Sequence, residues 1–163
     1  MLFRSISKTL LTQRHILVVD DQPATVVTED FQQRLAQRAC VYRTCESPDE
    51  LIAHIRRGEP SLEAISLVLL DLQFGDQYRG RDLLEEIKRW RPELPVFILT
   101  AQDAHFNDEE RAKVVYGASY SSPLRPDAYL TKPLDGNEAD WGRIWAALFH
   151  EPAKAILDRK SVV

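Results

Sequence analysis

Ile65-Ser-Leu-Val-Leu-Leu-Asp71 is the stretch on which the fold turns. Its first six residues include five aliphatic ones and run without a turn former into an acid. So short and apolar a run reads as a strand buried on both faces, the kind that forms a parallel sheet covered by helices. His15-Ile-Leu-Val-Val-Asp20 upstream and Val96-Phe-Ile-Leu-Thr100 downstream have the same form. Each is apolar and β-branched or aromatic, and each ends in a polar residue.

Between these runs the apolar period lengthens from strand-like to helical. Pro23 to about Arg38 carries Val26, Val27, Phe31 and Leu35 at helical spacing, with Pro23 suited to a first turn. Cys40 to Cys45 reads as a second strand. Ser47-Pro48-Asp49-Glu50 then reads as cap, first-turn proline and acidic first turn of a helix that carries Leu51, Ile52 and Ile55 and stops at Gly58. Helices are also expected from Arg81 to Trp90, from about Asn107 to Tyr116, and from Glu138 to His150; Tyr129-Leu-Thr131 supplies a short fifth strand. Trp141, Ile144, Trp145 and Leu148 form one stripe on the last helix and read as core. Strands alternating with helices make an α/β fold, a doubly wound five-stranded parallel sheet with helices on both faces.

Composition agrees. The 163 residues are 44% apolar and 28% charged, enough to bury a core and too apolar for a wholly disordered chain. With 21 basic and 25 acidic residues the net charge is −4, which disfavours nucleic-acid binding on electrostatics alone. Cys40 and Cys45, an odd number of residues apart on a strand, point to opposite faces and read as two reduced thiols of a cytoplasmic protein rather than a disulfide. No apolar run reaches the length of a membrane span, and the N-terminus lacks the pattern of a signal peptide. Leu2, Phe3, Ile6, Leu10 and Leu11 can form a short apolar helical face, read either as a frayed lead-in or a helix packed on its own domain, or as a segment that docks on a membrane or a partner.

In a parallel sheet of this kind the ligand site lies at the carboxyl ends of the strands. There the sequence places Asp20 and Asp21, Asp71, Thr100 and Lys132-Pro133. Any one of these is an ordinary cap or a solvated charge. Together they bring three carboxylates, a hydroxyl and an ammonium to one sheet edge. Crowded carboxylates repel, and a hard divalent cation such as magnesium relieves the repulsion while leaving room for phosphate oxygens. The ammonium and hydroxyl suit a phosphoryl group beside the metal, and a carboxylate can carry phosphate as an acyl phosphate. The expected chemistry is metal-assisted phosphoryl transfer onto an aspartate.

Ile16-Leu-Val-Val-Asp20-Asp21, Leu67-Val-Leu-Leu-Asp71-Leu72, Ile98-Leu-Thr100-Ala101 and Ala128-Tyr-Leu-Thr-Lys132-Pro133, in this order and at these spacings, resemble the receiver domain of two-component response regulators. The resemblance runs from about His15 to about Phe149 and implies a flavodoxin-like fold, with an extension at 1–13, a receiver domain at 14–150 and a tail or linker at 151–163. It implies that Asp71 accepts the phosphoryl group, and that Asp21 binds Mg2+ directly while Asp20 does so through water. The carbonyl of Gln73 is the remaining ligand. Lys132 and Thr100, with the amide of Ala101, would contact the phosphoryl oxygens. Tyr129 stands at the switch aromatic, and the Lys132–Pro133 bond is expected to be cis. The implied partners are a sensor histidine kinase or phosphotransfer protein and a downstream protein that meets the face made by the fourth predicted helix, the fifth strand and the fifth helix, with a homodimer as a further option. No membrane span or direct nucleic-acid contact is implied.

Two departures stand out. The loop after Asp71 lacks the family's usual proline and is longer by about a residue. The segment between Gly117 and Tyr129 is clearly longer than the family norm and reads either as a plain insertion or as a partner-specific surface centred on Tyr120 to Asp127. Three alternatives remain open at this level. One is a pseudo-receiver that binds partners without phosphate. Another is a small phosphohydrolase, disfavoured because Gln73 stands where such enzymes place a second acid. The last is a receiver fragment of a longer regulator.

Overall fold

A computed structural model describes residues 13–71, 80–100 and 126–150 of the protein. Five strands form one parallel sheet: β1 (Arg14–Val19), β2 (Cys40–Cys45), β3 (Ile65–Asp71), β4 (Val96–Thr100) and β5 (Ala128–Thr131), in the order β2-β1-β3-β4-β5. The described helices are α1 (Glu29–Gln37), α2 (Pro48–Arg57), α3 (Gly80–Trp90) and α4 (Glu138–Phe149). The helix expected over 107–116, the two terminal extensions and most of the Gly117–Tyr129 segment lie outside the described residues.

The sheet buries both faces. On one, Leu17, Val19, Val68, Leu70, Val96 and Ile98 pack beneath α2 and α3; on the other, Ile16, Val18, Leu67, Leu69, Phe97 and Leu99 pack beneath α1 and α4. Each fully buried aliphatic side chain contributes roughly 1.5–3 kcal/mol. That is why β1, β3 and β4 carry almost no polar residue. Simple alternation would put Ile65 with Leu67 and Leu69. Instead Ile65 joins the α2–α3 core, because β3 pairs His15 with Ile65 but Ile16 with Leu67, leaving Ser66 as an extra residue that shifts the phase by one. Cys40 and Cys45 lie on opposite cores, both as free thiols raised in pKa by burial.

The first helix begins later than its spacing suggested. Pro23–Thr25 is a single 3-10 turn, and α1 restarts at Thr28, whose hydroxyl accepts the Phe31 N–H. Thr25-Val26-Val27-Thr28 is an unbroken β-branched run, a poor helix interior, and Thr28 competes for the backbone as a cap. Val26 is nonetheless buried, so the apolar spacing had identified a core residue in the wrong local structure. α2 follows expectation closely: the Ser47 hydroxyl accepts the Glu50 N–H, Pro48 opens the helix, and Gly58 closes it at φ +67°.

Candidate phosphoacceptor site

The parallel sheet puts the last residues of β1, β3, β4 and β5 on one edge, and the polar residues gather there. One carboxylate oxygen each from Asp20, Asp21 and Asp71 lies within 4.8 Å of the others. Asp20 is fully buried. One of its oxygens accepts the Gln22 N–H at 2.8 Å, and the other accepts the Lys132 ammonium at 2.7 Å. The same ammonium stands 3.5 Å from Asp71 Oδ1. Asp71 itself retains some exposure at the end of β3.

Thr100 ends β4 one residue past Leu99, the partner of Asp71 across the sheet. It is buried, and its hydroxyl donates to the Leu130 carbonyl at 3.2 Å. Lys132 is tied to it through the backbone, its N–H donating to the Thr100 carbonyl at 2.8 Å. Tyr129 is half-buried on β5 against the α2–α3 core. The Lys132–Pro133 bond is cis, as expected. Gln73 and Ala101 lie outside the described residues.

Three carboxylates facing one ammonium leave an excess of negative charge. Oxygen-only donors this close together fit a hard divalent cation that keeps part of its water shell. The donor set present is therefore compatible with the Mg2+ that the motifs imply.

Sequence reading missed several residues that hold the two ends of the sheet, Asn137 and Asp140 at this edge and Asp127 at the opposite one. Asn137 caps α4 by accepting the Asp140 N–H, and the Asp140 carboxylate answers by accepting Asn137 Nδ2 and the Thr131 N–H. The Asn-x-x-Asp spacing that begins just before Glu138 is a capping signal legible in the sequence. Asp127, grouped with the insertion, is an anchor: its carboxylate accepts the Val96 N–H and the Lys88 ammonium. No local pattern connects Lys88 to a residue in a loop so far along the chain.

A profile of the response regulator receiver domain matches residues 16–138. Among solved structures, a response regulator receiver protein from Pseudomonas putida is 21% identical, covers 85% of this chain and 98% of its own, and superposes with a TM-score of 0.55. A structure described as adenylate cyclase from Rhodopirellula baltica is 19% identical over 92% of this chain and 96% of its own, at a TM-score of 0.56. NtrX from Brucella abortus is 23% identical over 93% of this chain at a TM-score of 0.59, and the match spans only 30% of that longer protein. These likenesses share the fold. A search of curated proteins returned no match. Among the described residues no helix is long and apolar enough to cross a membrane. The profile match covers most of the chain, both acidic motifs and the Lys132–Pro133 motif, and it identifies a receiver domain rather than a phosphohydrolase: the chain belongs to the response regulator receiver domain family.

Proposed function

We propose that this receiver accepts a phosphoryl group on Asp71 from a phosphohistidine and converts the added charge into a change of its partner-binding face. The observation that carries the reading is the meeting of Asp20, Asp21 and Asp71 with the Lys132 ammonium at the carboxyl edge of the sheet.

In the transfer, an Asp71 carboxylate oxygen attacks phosphorus. A P–O bond forms as the P–N bond to the donor imidazole breaks, and the imidazole leaves with the bonding pair and takes up a proton. Lys132 stabilises charge on the phosphoryl oxygens, and the buried Asp20 holds that ammonium beside Asp71. Asp20, Asp21, Asp71 and the Gln73 carbonyl would hold Mg2+, which when bound supplies charge neutralisation to the same oxygens. The phosphoryl group brings roughly −1.5 to −2 of charge. The Thr100 hydroxyl then leaves the Leu130 carbonyl for a phosphoryl oxygen, with the Ala101 amide as a second donor. Tyr129 turns into the space released. The readout is a population shift at β5 and its neighbouring helices, where a downstream protein or a second copy of the chain would dock. A sensor histidine kinase or a phosphotransfer protein supplies the phosphohistidine.

Labelling with acetyl phosphate in the presence and absence of Mg2+ tests the reading. Asp71→Asn is expected to abolish incorporation while the circular dichroism melt is retained. Equal labelling of the variant would mean that the nucleophile is another residue, and a folded wild type that takes no label would favour a phosphate-independent binding module. Asp21→Ala is expected to remove the calorimetric heat of Mg2+ binding, since few direct ligands hold this ion and losing one is costly. An unchanged heat would reject Asp21 as a ligand.

A further inference from the structure

We infer that Asp140 is a positioning residue for Lys132, setting the place of its ammonium through the Thr131 backbone. The inference rests on the receiver reading for its meaning in phosphotransfer, but its geometry stands separately.

β5 is the last strand of the sheet, and the alternation of a strand turns the backbone groups of Tyr129 and Thr131 away from β4. Two of these outward groups are taken by α4. The Thr131 N–H donates to Asp140 Oδ2 at 3.0 Å, and the Tyr129 carbonyl accepts from Arg143 at 3.0 Å. Arg143 and Asp140 are themselves 3.9 Å apart, one helical turn from each other. On the inner side the Lys132 N–H is held by the Thr100 carbonyl at 2.8 Å. The backbone that launches the Lys132 side chain is thus gripped from both sides, by β4 within the sheet and by α4 across its edge.

Capping alone does not account for Asp140. The Asn137 side chain already caps α4 by accepting the Asp140 N–H at 3.3 Å, a bond that any residue at 140 could donate. The position is 7% exposed and is followed directly by buried Trp141, so an apolar residue would suit it. A carboxylate there is costly unless its bonds are needed. Beyond the Asn137 Nδ2 bond at 2.8 Å, which belongs to the cap, the carboxylate adds the bond to Thr131, one residue before the ammonium that reaches Asp20 at 2.7 Å and Asp71 at 3.5 Å. A lysine stem is flexible, so the aim of its head group depends on how firmly its Cα is held.

The test uses the full chain with Asp140→Leu, Asp140→Glu and Asp140→Asn, each alone and combined with Lys132→Ala. The readouts are the initial rate of acetyl-phosphate labelling and the NMR resonance of the Lys132 ammonium. Displacing a positioned group by about 1 Å can cost on the order of a hundredfold in rate, so Asp140→Leu is expected to slow labelling at least about tenfold. Asp140→Asn keeps an acceptor oxygen for Thr131 and should restore most of the rate. In the Lys132→Ala background Asp140→Leu should add no further loss, because the group it aims is gone. Equal slowing in both backgrounds would show a merely structural role and overturn the inference. Should Asp140→Leu fail to fold, Asp140→Glu keeps the charge but moves the carboxylate by one methylene, and it carries the same comparison. If the wild type takes no label, the phosphoacceptor reading fails by itself. The Lys132 resonance then decides: a shift in Asp140→Glu but not in Asp140→Asn supports positioning, and no shift in either rejects it.

Discussion

Lys88 and Lys132 each meet an aspartate oxygen at 2.7 Å, at opposite ends of the same parallel sheet, and the two pairs have different work. At the amino end Lys88 is only 8% exposed on its side chain, and its ammonium also donates to the carbonyls of Leu94 and Pro92. Its partner Asp127 accepts the Val96 N–H as well. Every group in this cluster closes the turns that lead into β4 and β5, so the pair is a fastening. At the carboxyl end Lys132 faces Asp20 and Asp71, with Asp21 close by, and the acids outnumber the base. That imbalance is poor for stability and suits the binding of a cation and a phosphoryl group. Equal distances therefore do not mean equal roles; the charge balance around each ammonium separates them.

The sharpest way to break the comparison is Lys88→Met. Removing the ammonium strands the Asp127 carboxylate and two carbonyls. The expected loss is about 2 kcal/mol, below the range for a fully buried pair because Asp127 is half exposed to water. Urea melts should show it, and the labelling rate per folded molecule should stay within about twofold. A large fall in that rate at unchanged stability would mean that the amino end reaches the site.

Lys132→Ala should give the inverse pattern. Stability is expected to change by less than about 1 kcal/mol when Mg2+ is present, since the cation takes over the neutralising role. Labelling should persist at a reduced rate, and the phosphorylated variant should no longer bind its downstream partner more tightly. A phosphorylated Lys132→Ala that engages its partner normally would deny Lys132 the coupling role. A smaller loss of stability than that of Lys88→Met, with no effect on the site, is expected from Asp127→Asn. The amide can still accept from Val96, so about 1 kcal/mol is lost, and Mg2+ binding at the other end is unchanged by calorimetry. A loss matching that of Lys88→Met would show that the charge, rather than the hydrogen bond, closes the amino end.

The long Gly117–Tyr129 segment bears on the same comparison. Its last residues lead through Asp127 into the amino end of β5, on the side of the sheet away from Asp71. The expectation that the segment serves partner choice rather than phosphotransfer is open to direct test. Replacing 120–126 by a short Gly-Ser connection while keeping Asp127 should leave labelling intact, and a collapse of labelling would show that the segment reaches the phosphoacceptor edge.

Local pattern was enough for the parallel sheet, the chain order of its described elements and the residues at the carboxyl edge. Apolar runs of strand length alternating with helical spacing admit few architectures, and in a parallel sheet the residues after each strand must converge. Asp20, Asp71, Thr100 and Lys132 were legible for that reason. Long-range packing settled the rest. The phase slip at Ser66 depends on how β3 pairs with β1, which no pattern within β3 records. The restart of α1 at Thr28 reflects a cap winning over apolar spacing, and that balance is settled only where Val26 finds the core. Lys88 with Asp127, and Asp140 with Thr131, join elements through the packed fold, and a charged residue read singly looks like any solvated charge until burial shows what it must satisfy.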